Sequence, residues 1–345
     1  MDSGRLVYDY RKMKLNAVYP ALLALLTLAL AGCGREQLSA EGSVIRFQVN
    51  TAEISSSLTK YDLPAVDDVP GDFLRKNGNT VRVWGTVNSA VLFDPYLVLT
   101  CDGNGSSASW NYAGDPYYWN MTADYQFRSV FTNDPDTEIS SGASASSVTV
   151  KYKGGYDLMV AATSLASGDP RSATLYFGHA CSAVRFYCVD PTRSSSAATA
   201  NYNIKRFTLN NVIQTGTLTF GSGMAWTPAS PTAEVYSLPA ASWPVPSDND
   251  DTAAALTPWF FFVPQNLASS NSSIEFSFAP TGPEYSGLPA PTVDVKFLLK
   301  DASPSTWEAG KMYTYFIVLD PVSIGFTSSI QPWPTDMVTG QHTIY

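Results

Sequence analysis

Two histidines, four cysteines and one run of aspartates are the residues here whose types suggest chemistry. His179 lies two positions from Cys181. In an extended strand that spacing puts both on one face, about 7 Å apart. With His342 as the only other histidine, a metal cluster or a histidine-based triad has little to draw on. A packed core pair explains the same pattern. Asp248-Asn249-Asp250-Asp251 opens like a calcium loop, but Ala253 and Trp259 stand where such a loop needs Gly at its sixth position and Glu at its twelfth. The run reads as a solvated acidic loop. No phosphate-binding glycine motif is present, so the sequence points away from an enzyme and implies no cofactor or metal.

Cys33 is a different case. It follows Leu30-Ala31-Gly32, and behind these lies an uncharged run rich in Ala and Leu that begins after Lys14. The run is too short for a confident membrane span, and its small terminal residues favour cleavage, so residues 1–32 read as a signal peptide. Residues 1–12 are charged and do not fit such a signal, which makes Met13 an alternative start. Leu-Ala-Gly-Cys resembles the bacterial lipobox, and the resemblance implies lipid attachment at Cys33. Gly34 next to it favours the outer membrane by the same resemblance. The other cysteines, Cys101, Cys181 and Cys188, are odd in number, which argues against a disulfide framework. Seven extended residues span roughly 23 Å, so Cys181 and Cys188 within one strand are out of bonding reach. Buried free thiols are expected.

The surrounding chain must be β-structure. Charged residues are 15% against 45% hydrophobic and 13% aromatic, a balance that favours strands over helices. The net charge of −9 leaves no basic stripe to neutralise phosphates, which excludes nucleic acid as a partner. Val44–Asn50 alternates apolar Ile45, Phe47 and Val49 with Arg46 and Gln48, the period of a half-buried strand. A polar connection from Thr51 to Asn79 follows and carries Lys60, Arg75 and Lys76. Strand patterns then recur with Gly and Pro punctuation: Thr80–Val87, Val91–Cys101, Asp124–Phe131, and a pair around Gly154-Gly155 that reads as a hairpin. Ser164–Arg171 is the expected boundary between a first β-domain, residues 33–170, and a second, residues 171–321. The end, residues 322–345, is strand-like again, with Val322, Ile324, Phe326 and Ile330 apolar at even positions and Val338 and Ile344 beyond.

In their order along the chain these segments resemble the fimbrillin-like pilins of Bacteroides-type (type V) pili. The resemblance rests on the lipobox at Cys33, Val44–Phe47, Thr59-Lys60, Val81–Val87, Phe177–Val184, Phe262–Gln265, Trp307–Tyr315, Ile330–Trp333 and Thr343–Tyr345. Cys181 departs from the small or aliphatic residue expected there. The resemblance implies two transthyretin-like Greek-key β-sandwich domains in tandem, carried by an outer-membrane lipoprotein (with palmitate on Cys33) at the cell surface. It also implies that an Arg/Lys-specific protease cuts beyond the first strand, here after Lys60, with Arg75 and Lys76 as second choices. Loss of the strand bearing Ile45, Phe47 and Val49 opens a groove. The C-terminal segment of another pilin subunit, here the one with Val322, Ile324, Phe326, Ile330, Val338 and Ile344, fills it, building a fimbrium for adhesion. The residues make this physically reasonable. Burying the three apolar side chains contributes roughly 1.5–3 kcal/mol each, comparable with the ~5–15 kcal/mol stability of a whole domain. The alternative is a non-polymerising surface adhesin at the tip or anchor, in which Tyr112, Tyr117, Tyr118 and Trp119 form an aromatic platform for host surface glycans or proteins.

Overall fold

A computed structural model describes residues 43–51 and 74–332, apart from 133, 135, 142–146, 170–171, 195–198, 222, 239–241, 248–254, 283–290 and 320–323. Among the described residues the chain is all-β. The first half supplies β1 (Phe47–Thr51), β2 (Thr80–Val87), β3 (Ala90–Val91), β4 (Leu97–Asp102), β5 (Ser109–Asn111), β6 (Tyr125–Thr132), β7 (Glu138–Ser141), β8 (Val148–Tyr152), β9 (Leu158–Leu165) and β10 (Ala173–His179). The second half begins with β11 (Ser182–Val189), β12 (Tyr202–Val212), β13 (Gly216–Phe220), β14 (Met224–Pro228), β15 (Thr232–Ser237), β16 (Trp243–Pro244) and β17 (Phe260–Phe262). It ends with β18 (Gln265–Asn266), β19 (Ser273–Pro280), β20 (Val293–Leu298), β21 (Thr306–Trp307), β22 (Lys311–Leu319) and β23 (Ile324–Pro332).

Three layers of apolar side chains hold these strands. The first sheet runs β1-β10-β9-β6-β2-β4-β5, with β3 on β2, and one of its faces encloses a core that includes Ile45, Phe47, Phe93, Phe127, Leu175 and Phe177. Its opposite face, with Trp84, Val130 and Leu158, packs on the sheet β14-β13-β8-β7 through Val148, Val150, Leu218 and Phe220. The second sandwich sets β17-β11-β22-β23 against β15-β12-β19-β20 over Phe186, Phe207, Phe276, Trp307 and Tyr315. The expected tandem of β-sandwiches is therefore present.

Local pattern and long-range pairing part company at four places. Ser164–Arg171 is not the changeover between the two bodies, because β10 just beyond it pairs back onto β9 and lies in the first sheet. The chain passes to the second sandwich at Ala180-Cys181, between β10 and β11. The β13–β14 pair belongs with β8 and β7 rather than with the second sandwich. Gly154 and Gly155 do turn the chain, with φ of 85° and 84°, but β8 and β9 enter different sheets rather than forming a hairpin. Val91–Cys101 is two strands, and Phe93 between them drops into the core.

Phe93 also explains Gly85 in the Trp84-Gly85-Thr86 segment. A Cβ at position 85 would stand 2.7 Å from Phe93 Cε2 and 3.3 Å from Phe127 Cδ1. The Phe93 ring has no room to retreat, since it meets Tyr117 at 4.7 Å and Phe47 at 6.3 Å between centroids. Gly85→Ala should therefore destabilise the protein by about 1–3 kcal/mol, the range for overpacking a filled core, read as a lower midpoint in urea.

Candidate functional site

The first strand sits as its alternation predicts. Ile45, Phe47 and Val49 are buried, whereas Arg46 and Gln48 are exposed. Its ladder is a single parallel one, Phe47–Thr51 beside Ala173–Phe177 of β10, at one end of the sheet. Phe47 plugs an aromatic cage, with its ring centroid 5.2 Å from that of Phe127 and the two planes near perpendicular. Beyond β1 a cleft of about 640 Å³ separates it from β5, the strand at the other end of the same sheet. One ladder and three side chains thus carry most of the attachment.

Further contacts clamp the strand's start. The Ile45 amide donates to the Tyr117 carbonyl at 2.7 Å, and the Trp119 amide donates to the Ser43 carbonyl at 2.9 Å. The Tyr112 hydroxyl donates to the Ile45 carbonyl at 3.0 Å. At the far end Arg75 donates from Nη2 to Asn50 Oδ1 at 3.0 Å, which engages one of the second-choice cleavage residues with β1 itself. Lys76 next to it is exposed.

The Tyr/Trp loop is consequently not an open platform. Trp119 is buried against Tyr125 at 4.9 Å, Tyr117 packs on Phe93, and Tyr112 faces the β1 backbone. Of the four aromatics only Tyr118, at 54%, is exposed. The physical reason is that β1 covers this end of the core only partly, and flat side chains from the loop complete the cover. Sequence alternation alone did not show that Tyr112, Tyr117 and Trp119 share one core with Phe47.

At the other end of the chain β23 pairs antiparallel with β22, from Ile324 opposite Leu319 to Pro332 opposite Lys311. It is the last strand of its sheet. Phe326 stacks between Phe297 and Tyr315, at 4.2 and 5.3 Å between centroids, while Ile324 and Ile330 are 43% and 44% exposed. Ile324, Phe326 and Ile330 thus share a strand within their own sandwich, with one side chain pinned and two half free. Cys33, Lys60, Val322, Val338, Ile344 and the segment 1–32 lie outside the described residues, as does the run Asp248–Asp251.

The described residues singled out for chemistry are packed away. His179 Nδ1 lies 3.0 and 2.9 Å from the two carboxylate oxygens of Asp157, and both side chains are buried. Cys181 is enclosed where the chain crosses between sandwiches, and Tyr152 beside it places its hydroxyl 2.7 and 2.9 Å from the carbonyls of Tyr156 and Phe261. Cys101, Cys181 and Cys188 are free and buried. Burial pushes the Cys181 and Cys188 thiols far above their ordinary range, Asp157 adding to it at Cys181 and Asp190 at Cys188. Thiolate is the reactive form, so these thiols are inert in the fold. Among the described residues no group of three or more His, Cys, Asp or Glu could hold a metal ion.

Fold and seat together define a tandem β-sandwich protein whose first strand hangs on one edge of its sheet. A family model described as fimbrillin-like matches residues 75–333, and the chain belongs to that family. A fimbrial protein from Bacteroides vulgatus has the same fold, with a TM-score of 0.58 at 12% identity over 84% of this chain and 99% of that one. A candidate cell adhesion protein from Bacteroides uniformis is similar over 76% of this chain and 95% of that one, at 15% identity and a TM-score of 0.50. No curated protein matches the sequence. Membership makes this chain a pilin-like adhesion subunit of a cell-surface fimbrium, a structural protein and not an enzyme, with other pilin subunits as its partners.

Phe47→Ala should cost about 3–5 kcal/mol, as for other buried phenylalanines, and Tyr112→Phe about 0.5–1.5 kcal/mol for one hydrogen bond. Urea unfolding measures both, and amide exchange along Ala173–Phe177 should quicken in the first. In native protein a thiol-specific reagent should label none of Cys101, Cys181 and Cys188 until denaturant unfolds the chain.

Proposed function

We propose that this protein is a fimbrial subunit held on the outer membrane by lipid at Cys33, matured by an Arg/Lys-specific protease and polymerised by donor-strand exchange. Cleavage after Lys60 detaches the segment carrying β1. The observation that carries the proposal is the seat of that strand, where Ile45, Phe47 and Val49 fill a slot whose other walls come from residues well downstream. Removing β1 uncovers an apolar slot and the edge of β10, and an unpaired edge is a template for strand addition. An incoming strand must offer alternating apolar side chains.

The donor segment contains Val322, Ile324, Phe326, Ile330, Val338 and Ile344. Half-exposed Ile324 and Ile330 favour its release, and the pinned Phe326 sets what release costs. A subunit that kept β23 in its own sandwich would instead end a fibre, as a tip or anchor adhesin.

The test is digestion of purified precursor with an Arg/Lys-specific protease, followed by sequencing of the new N-terminus and electrophoresis without boiling. The expected outcome is a chain starting at Tyr61 and a ladder of polymers, absent when residues 322–345 are deleted. Ladders of equal strength from the truncated protein would refute donor-strand exchange by this segment. A start other than Tyr61 would retire the Lys60 assignment alone.

A further inference from the structure

Arg128 on β6 is a buried cation with no counter-charge among the described residues. The ladders place it beside Trp84 of β2 and Ala162 of β9, on the face of the first sheet opposite the β1 seat. The residue is 5% exposed. Its Nη1 donates to the carbonyl of its own neighbour Phe127 at 2.9 Å, and its Nε is buried with no acceptor in reach. Burial alone lowers its pKa from the ordinary arginine value, and no carboxylate opposes the shift. A cation left this way is costly to a fold unless something pairs with it.

Arg128 borders a cleft of about 960 Å³ between the first sheet and the β13–β14 pair. Gln126 and Ser164 line it from the sheet, and Ser147, Thr219 and Gly223 from the other side. No acidic residue is among the described residues of its walls. In a chain of net charge −9, a cleft with one cation and no anion selects for a negative ligand. With Nη1 bonded to Phe127 and Nε buried, Nη2 is the end of the guanidinium left to face the cleft, and its charged, directed N–H groups suit a carboxylate oxygen. The space is near the top of the range for small-molecule sites, far more than a lone inorganic anion fills. Hydroxyl and amide side chains on both walls suit a ligand rich in hydroxyl groups.

We propose that this cleft binds a carboxylate-bearing saccharide, its carboxylate on Arg128 and its hydroxyls on Gln126, Ser147, Ser164 and Thr219. The site lies away from the Tyr/Trp loop and on the far side of the sheet core from β1. It is therefore independent of strand exchange, and either idea can fail without the other.

The experiment uses the full chain with D-glucuronate and N-acetylneuraminate as probes, and the methyl ester of glucuronate and sodium sulfate as controls. Thermal unfolding and ligand-observed NMR read binding in wild type, Arg128→Lys and Arg128→Met. The expected result is a rise in Tm and NMR signal transfer with either acidic sugar, and neither with the ester. Affinity should fall at least tenfold in Arg128→Lys, which keeps the charge but loses the directed Nη2 donor, and vanish in Arg128→Met. The unliganded Met variant should melt no lower than wild type, since it loses an uncompensated charge. Equal binding of the ester, unchanged binding in Arg128→Met, or an equal effect of sulfate would overturn the proposal. So would self-association that depends on Arg128 with no response to sugar, because a second copy would then be the occupant.

Discussion

The insertion of Phe47 into its aromatic cage is the contact on which the first sandwich depends. Phe127 and Phe93 meet that ring, Tyr117 backs Phe93, and Gly85 is bare so that Phe93 can approach. Yet the strand that delivers Phe47 is bonded into the sheet along one edge only. Large apolar gain and a small number of backbone bonds make β1 stable in place but separable as a unit. A central strand with two ladders could not be withdrawn without dismantling its neighbours. This asymmetry lets one segment be both part of a core and, on the proposed maturation, replaceable.

The opposite terminus shows the complementary balance. β23 has the long ladder that β1 lacks, nine register pairs with β22, but of its described apolar side chains Ile324, Phe326 and Ile330 only Phe326 is deeply engaged. The strand is held by backbone, and its side chains are partly unspent. A segment of that kind would gain more burial in an empty apolar slot than it has at home, and on the proposed exchange this gain would be the thermodynamic drive.

Much of this was legible from residue order, and the limits were consistent in kind. Period-2 alternation located Ile45, Phe47 and Val49 as a buried face, because alternation depends only on a strand's own residues. It also located most later strands. Partners were not legible: nothing local says that Phe47 lies opposite Ala173, or that Gly216–Phe220 joins Val148–Tyr152 across some seventy residues. The Ser164–Arg171 stretch looked like a boundary because Gly and Pro mark turns, but a turn within a sheet and a turn between domains use the same residues. Tyr112, Tyr117 and Trp119 looked like a surface platform for the related reason that an aromatic on a loop carries no sign of what covers it. Arg128 gave no signal at all, since a lone arginine in a strand usually faces water.

One connection ties both ends of the molecule together. β10 holds β1, continues through Ala180-Cys181 into β11, and β11 lies parallel to β22, which in turn holds β23. Tension applied between the first strand and the last thus crosses three hydrogen-bonded ladders and one covalent run, β10 to β11. In the parallel ladders of β1 with β10 and of β11 with β22, a pull along the strands strains all their hydrogen bonds at once and does not peel them singly. Cys181, at the crossing, is enclosed so that this cable has no frayed point midway. A thread built of such units would resist stretching through its sheared ladders, with no covalent crosslink needed inside each bead.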